Sequence, residues 1–104
     1  MERMERAEPM TKAKFTPFDA ADHIKTAEDA AHYLDAVLAD GDAGEIADAI
    51  GVVARSQGMA GIAEQSGLSR ETLYRTLSET GNPRLATLIG VLRAMGLRLS
   101  VAAA

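Results

Sequence analysis

The residues from 59 to 77 constrain the fold most tightly, because two short helical patterns meet there at a single glycine. Gly67 can adopt a positive φ, which other residues adopt only at a cost, so the chain can turn sharply at this point. Ser69 follows as a candidate N-cap for the second helix, and the small side chain of Ala63 lets the two helices approach closely. The residues predicted to fill the inner side of this corner are Ile62, Ala63, Leu68, Leu73 and Leu77. This pattern predicts a helix-turn-helix at residues 59–77.

Two further helical patterns precede this corner. The first begins at Thr26, which forms a capping-box-like start together with Asp29. Gly41 is expected to end that helix in a left-handed conformation, and Asp42 is expected to cap the next helix, with Glu45 completing the box. The apolar residues predicted to face the core are Ala27, Ala30, Ala31, Leu34, Val37, Leu38, Ile46, Ile50 and Val53.

A last helical pattern follows the corner. Asn82 is expected to cap this helix, Pro83 to occupy its first position, where the missing N–H costs nothing, and Gly96 to end it. Its apolar stripe consists of Leu85, Leu88, Ile89, Leu92 and Met95. Residues 97–101 alternate with period two, which favours a short strand that needs a partner from another subunit or chain. The expected fold is therefore all-α, with five helices in one domain over residues 15–104 and a short C-terminal strand.

Length and composition narrow the class of protein. With 104 residues the chain can form one compact domain, and 20 of its hydrophobic residues are alanine, so the core is small and an oligomer is plausible. Residues 1–14 carry seven charges and Pro9 without a hydrophobic period, which predicts a flexible tail. The absence of cysteine excludes disulfides and thiolate metal ligands and fits a reducing cytoplasm. Neither a signal peptide nor a stretch of about 20 apolar residues is present, so we expect a soluble cytoplasmic protein without a membrane partner.

The net charge of −4 conceals two halves of opposite sign. Residues 15–54 carry nine acidic residues against Lys25 alone, a net charge of −8, whereas residues 55–104 carry six arginines and three glutamates, a net charge of +3. Such asymmetry suggests one basic partner and one polyanionic partner. The alternative is that the acidic residues simply solvate two helix surfaces.

Three runs of residues resemble the Xre or lambda-repressor-like superfamily of helix-turn-helix proteins. They are Gly-Leu-Ser-Arg-Glu-Thr-Leu-Tyr-Arg at 67–75, Gly-Asn-Pro at 81–83 and Leu-Ala-Thr-Leu-Ile-Gly-Val-Leu-Arg-Ala-Met-Gly at 85–96. This resemblance covers about residues 44–97. Within the superfamily, the acidic segment that precedes the helix-turn-helix, from Phe18-Asp19 to Asp42, resembles the HigA-type antitoxins of addiction modules. This second resemblance covers roughly residues 15–101. The resemblance implies a five-helix lambda-repressor-like domain that binds DNA.

The same resemblance implies a recognition helix from Arg70 to Leu77 that lies in the major groove, with its N-terminal residues facing base edges. The residues expected to point away from its buried face are Arg70, Glu71, Thr72, Tyr74 and Arg75. Arginine can bridge O6 and N7 of guanine, glutamate can accept from N4 of cytosine, and threonine can offer its methyl group to thymine. Two phosphate contacts are expected. One is made by Ser69 and the free N–H groups that follow it, and the other by Gln57 and the main chain at the start of the preceding helix.

Two positions depart from the superfamily pattern, and no catalytic motif is present. Met59 occupies a position where the superfamily often has glutamine, and Thr76 stands where an apolar residue is common.

His23 and His32 are nine residues apart, which does not match the i, i+4 spacing of helical zinc sites. The chain also lacks a nucleophile elbow, a phosphate loop and a dinucleotide fingerprint. We expect no enzymatic activity, no cofactor and no metal.

These observations lead to one functional hypothesis and two alternatives. The hypothesis is the antitoxin of a type II toxin–antitoxin module, which represses its own promoter as a homodimer on operator DNA and neutralises a basic RelE- or ParE-type toxin by direct binding. A dimer is expected because a monomer of this size reads too few base pairs to be selective. The first alternative is a stand-alone Xre-type transcriptional repressor whose N-terminal helices serve dimerisation. The second is a helical interaction module without affinity for DNA.

Overall fold

A computed structural model describes residues 23–104 as a bundle of five helices. Their bounds are α1 Ala27–Asp40, α2 Ala43–Gln57, α3 Met59–Ser66, α4 Arg70–Thr76 and α5 Leu85–Ala94. No strand occurs among these described residues. The predicted all-α fold with five helices is therefore confirmed. The predicted tail at 1–14, the first eight residues of the predicted domain and the Phe18-Asp19 pair lie outside the described residues.

Two capping boxes start the first two helices, as predicted. At α1, the N–H of Asp29 donates to the Thr26 hydroxyl at 3.0 Å, and the N–H of Thr26 donates back to the Asp29 carboxylate at 3.2 Å. At α2, the N–H of Glu45 donates to Asp42 at 2.8 Å, and the N–H of Asp42 donates to Glu45 at 2.9 Å. Each box satisfies N–H groups that have no partner inside the helix, so both starts are determined by residues three positions apart.

Gly41 does not take the predicted left-handed conformation. Its φ of −79° and ψ of 153° are those of extended backbone. Only Gly41 and Asp42 separate α1 from α2, so the chain passes directly into the extended geometry of the Asp42 N-cap. The glycine is required for a different reason, because an added Cβ would lie 2.7 Å from the carbonyl oxygen of Val37. The prediction was wrong about the conformation of the residue and right about the end of the helix.

The start of α5 also differs from the prediction. Arg84 is the N-cap, with φ −65° and ψ 156°, and no side chain caps the helix. Asn82 and Pro83 thus precede the helix, and neither takes the predicted role. The reason lies at Gly81, which packs so closely on the end of α4 that an added Cβ would overlap the carbonyl oxygen of Thr76. From that anchored point the chain uses residues 82–84 to reach the position at which α5 packs on α3.

The C-terminal end of α5 is built by a glycine, as predicted, but the strand after it is absent. Gly96 has a φ of +80°. Its N–H donates to the carbonyl of Arg93 at 3.0 Å, and the N–H of Leu97 donates to the carbonyl of Leu92 at 2.8 Å, which closes the helix end. Residues 97–104 form neither helix nor strand. The predicted strand needs a partner from another subunit or chain, because a ladder needs a second strand and residues 23–104 supply none, so it stays a prediction.

The core forms around α2, which packs against α1, α3 and α4, while α5 packs on α3. The largest fully buried side chains are Val52, Val53, Leu73, Leu77 and Val91. Four predicted core residues are exposed instead, and two of them are large: Leu38 on α1 retains 52% of its accessible surface and Leu85 on α5 retains 65%. Ala27 and Ala31 are exposed as well. Within residues 23–104, no element covers these outer edges of the two apolar stripes.

Candidate nucleic-acid interface

The corner between α3 and α4 has the geometry expected from the sequence. Gly67 is left-handed, with φ 77° and ψ 16°, and the N–H of the half-buried Leu68 donates to the carbonyl of Ala63 at 3.1 Å. Ile62 and Ala63 are buried beneath the corner. The direction in which α4 leaves the corner is therefore determined by the conformation of Gly67 and by the packing of Ile62, Ala63 and Leu68.

Ser69 is the N-cap of α4, as predicted. Its hydroxyl oxygen accepts from the N–H of Thr72 at 3.0 Å and the hydroxyl donates to the Thr72 hydroxyl at 2.8 Å. These two bonds hold the first turn of a helix that is only seven residues long. Ser69 and Arg70 are exposed, so the start of the helix is open to solvent.

Helix α4 has one buried face and one exposed face. Leu73 and Leu77 are almost fully buried, with 0% and 1% of their surface accessible. The residues on the opposite side are Arg70, Glu71, Tyr74 and Arg75, which are all exposed, and Thr72 is half-buried at the edge of this face. Residues four apart on a helix are neighbours, so 70 with 74 and 71 with 75 form a continuous stripe. We call these four residues the α4 face.

The α4 face combines donors, an acceptor and an aromatic ring. An arginine presents a planar fork of donors that matches guanine or a phosphate, a glutamate can accept from cytosine, and a tyrosine adds a flat surface with a hydroxyl group. All four side chains are long or broad, and they project from an α-helix, an element that the major groove of DNA is wide enough to admit. The structure thus brings together five of the seven predicted site residues on α4, next to Ser69.

Gln57 lies apart from this helix, at the last position of α2. Its side-chain amide donates to the main-chain carbonyl of Met95 at 3.2 Å, at the C-terminal end of α5. Met59, which takes the position where the superfamily often has glutamine, is buried in the core with 5% of its surface accessible. In the described arrangement Gln57 connects α2 to α5, and its role as a phosphate ligand stays a prediction.

Two glycines that the sequence analysis did not single out position the chain after α4. Gly44 and Gly51 lie seven residues apart on α2, and therefore on the same face of that helix. A Cβ added at Gly44 would overlap the carbonyl oxygen of Glu79, and one added at Gly51 would overlap that of Leu77. The main chain after α4 thus lies directly on α2. Two glycines at helical spacing inside one helix were the signal that could have revealed this contact.

A second region of the surface is acidic. A groove of about 950 Å³ lies between α1, α2 and the segment after α4, and its apolar lining includes Ile24, Tyr33 and Val37. The acidic residues that line it are Asp29, Asp40, Glu45, Asp48 and Glu79. We call this region the acidic groove. Burial raises the pKa of the Tyr33 phenol, the negative charge of Asp48 raises it further, and Arg55 opposes the shift.

His23 and His32 line the acidic groove as well. Within residues 23–104, however, no group of three or more histidine, aspartate or glutamate side chains is placed to hold a metal ion. None of the described helices is long and apolar enough to cross a membrane.

Comparison with known proteins identifies the family. A family described as "probable addiction module antidote protein" matches residues 14–103 of the chain. An uncharacterized protein of Haemophilus influenzae (strain ATCC 51907 / DSM 11121 / KW20 / Rd) is 40% identical over 84 residues, which cover 81% of this chain and 87% of the relative. No solved structure matches the chain. The family match extends over most of the sequence, from before α1 to the segment after α5, and the chain therefore belongs to the addiction-module antidote family.

Proposed function

We propose that this protein is the antitoxin of a type II toxin–antitoxin module, of HigA type within the Xre superfamily. It acts in the cytoplasm as a homodimer, binds operator DNA through α4 and represses transcription of its own promoter. It also neutralises a RelE- or ParE-type toxin by direct binding and performs no chemistry itself. Membership of the antidote family supports the antitoxin role. The α4 face is the single observation that carries the DNA-binding part of the proposal.

Helix α4 is fastened to the core on one side and exposed on the other. Its inner residues Leu73 and Leu77 fasten it to the core, so the opposite side can enter the major groove without disturbing the fold. Arg70 and Arg75 then face base edges, where each good bidentate contact discriminates by about 1–3 kcal/mol. Ser69, at the open start of the helix, contacts a phosphate and determines the position of the helix on the duplex.

The test replaces Arg70 and Arg75 with alanine, one at a time, and measures binding to the DNA upstream of the gene and to a scrambled duplex. We expect each variant to lose roughly 5- to 150-fold of its preference for the upstream DNA, which corresponds to about 1–3 kcal/mol. Arg93→Ala is the matched control, because Arg93 is an exposed arginine on α5 rather than on the α4 face. It removes the same charge and should leave the preference unchanged.

The outcomes separate the alternatives. An unchanged preference in both α4 variants contradicts the recognition-helix assignment. Absence of any salt-dependent binding to DNA by the wild-type protein favours the helical interaction module. Sequence-specific binding together with no toxin encoded beside the gene favours the stand-alone repressor.

For the toxin we propose the acidic groove as the binding surface. A RelE- or ParE-type toxin is expected to be basic, and complementary charge accelerates association and selects the partner. The apolar lining at Ile24, Tyr33 and Val37 offers surface that a bound side chain can cover. None of the residues that line the groove belongs to the α4 face, so a toxin bound there is expected to leave the α4 face accessible.

Binding of the protein encoded by the neighbouring reading frame tests this surface. Asp40→Asn and Asp48→Asn should slow association, and the difference from wild type should shrink at high salt. Glu64→Gln is the matched control, because Glu64 is an exposed acidic residue on α3, outside the groove. Equal association rates for all three variants would exclude the groove as the toxin surface.

A further inference from the structure

The segment after α5 has unpaired main chain and exposed apolar side chains. In the part of the chain that the structure describes, no main-chain hydrogen bond reaches residues 98–104. Leu99 retains 47% of its accessible surface and Val101 retains 98%. Unpaired N–H and C=O groups beside exposed aliphatic side chains are the properties of an edge strand, which pairs readily with another chain.

A groove of about 300 Å³ adjoins this segment. It lies between α1 and the C-terminal residues, and its apolar lining consists of Ala31, Leu34, Leu38, Leu92, Leu97 and Leu99. Leu38, which was predicted to face the core, lies in this groove, with 52% of its surface accessible. A single added strand could therefore pair with the free main chain of 98–101 and cover apolar surface that residues 23–104 leave open.

We infer that the occupant is a second copy of this chain, whose residues 97–101 pair antiparallel with the same residues about a two-fold axis at Leu99. This inference rests on the homodimer of the proposed function and names its interface. With the axis at Leu99, Leu97 lies opposite Val101 and the two Leu99 side chains lie opposite each other. Every large aliphatic residue of the segment then meets another across the pair, and Arg98 lies opposite Ser100.

Other registers are less favourable. An axis at Arg98 would place two arginines directly opposite each other, which is destabilising. An axis between two residues would place apolar side chains opposite polar ones, because facing residues of an antiparallel pair share one side of the sheet. An axis at Ser100 leaves Leu97 opposite Ala103 and loses one aliphatic pair. The sequence of the segment is thus complementary to itself at the Leu99 axis.

The chain has no cysteine, so a single introduced thiol reports the register directly. Opposite residues of an antiparallel pair have Cα atoms about 4.5–5.5 Å apart, within the range of roughly 4.4–6.8 Å that a disulfide requires. Leu99→Cys in the full-length protein should therefore form a covalent dimer under mild oxidation. Arg98→Cys is the matched control. Residue 98 of one copy lies opposite residue 100 of the other, so the two introduced thiols are displaced along the strands by two residues, about 7 Å, and should not cross-link.

A mixture of two variants tests the register independently. Chains with Arg98→Cys and chains with Ser100→Cys should cross-link to each other and not to themselves. Leu99→Glu should weaken dimerisation at least tenfold in sedimentation equilibrium, because it places two like charges opposite each other, while the helical circular dichroism stays unchanged.

The outcomes distinguish the inference from the homodimer itself. A wild-type dimer whose Leu99→Cys form cross-links no faster than the Arg98→Cys form overturns the inference and leaves the homodimer in place. A wild-type protein that is monomeric at all concentrations overturns both. If Leu99→Glu leaves dimerisation intact but abolishes toxin binding, the occupant is the toxin and the inference is wrong.

Discussion

Replacing Gly51 with alanine would test how closely the chain after α4 approaches α2. Gly51 is buried in the interior of α2. On helix propensity alone, alanine would stabilise the helix by about 1 kcal/mol, because glycine is the poorest helix former after proline. A Cβ at this position would, however, overlap the main-chain carbonyl oxygen of Leu77, an atom that cannot rotate away as the end of a side chain can.

The steric cost exceeds the gain in propensity. Overpacking costs about 1–3 kcal/mol, and an overlap with main chain belongs in the upper half of that range. After the gain of about 1 kcal/mol is subtracted, the free energy of unfolding should fall by about 1–2 kcal/mol. In a domain of this size about 1 kcal/mol corresponds to roughly 4–8 °C, so Tm should fall by about 4–16 °C.

Thermal unfolding followed by far-ultraviolet circular dichroism measures the effect. Gly61→Ala is the matched control, because Gly61 is an exposed helical glycine of α3 and a Cβ there would have no neighbour within 4 Å. The control should gain about 0.5–1 kcal/mol from propensity alone. The two substitutions are therefore expected to shift Tm in opposite directions. A rise in Tm of similar size for both variants would refute the close approach of Leu77 to α2.

The burial of Leu73 and the charges around Tyr33 and Asp29 can each be tested by substitution. Leu73→Ala should lower the free energy of unfolding by about 2–5 kcal/mol in urea titrations, because Leu73 is fully buried, and a loss below about 1 kcal/mol would mean that α4 is not fastened to the core through this residue. In a Tyr74→Phe background Tyr33 is the remaining tyrosine, so ultraviolet absorbance of the phenolate measures its pKa. Asp48→Asn should lower this raised pKa, because it removes a negative charge that raises it. The raised pKa stabilises the fold below the unfolded value of about 10, and this contribution should be lost as pH rises through the folded pKa. The pKa of Asp29 is held below 3.8, first by the N–H of Lys25 and then by Thr26, so its stabilisation of α1 is present above that value and lost as pH falls through the folded pKa. The fall of Tm on acidification should accordingly be smaller in Asp29→Asn than in wild type, and equal falls would contradict the contribution of this carboxylate.

The local features of the fold could be predicted because their causes lie within a few residues of one another. The boxes at Thr26 and Asp42 depend on hydrogen bonds between residues three apart. The helix ends at Gly67 and Gly96 depend on a positive φ that glycine adopts without strain.

Much of the candidate site could be predicted for a similar reason. Once Leu73 is assigned to the core, the geometry of a helix determines which neighbours point outward, and the α4 face emerged from this rule. The side chain of Gln57 could not be placed in this way. Its partner, the carbonyl of Met95, is 38 residues away and belongs to a different helix.

The sequence by itself determined where α1, α2 and α4 start, which glycines end α1, α3 and α5, and which side of α4 is exposed, because hydrogen bonds and periodicity over a single turn are sufficient for that. Only the tertiary structure decided that the main chain after α4 packs on Gly44 and Gly51, and that the close packing of Gly81 on α4 places the start of α5 after Arg84. It also decided that Leu85 stays exposed. These features depend on how closely two distant segments approach. The amino-acid sequence specifies the size of each side chain, but it does not specify the distances between the helices that pack against one another.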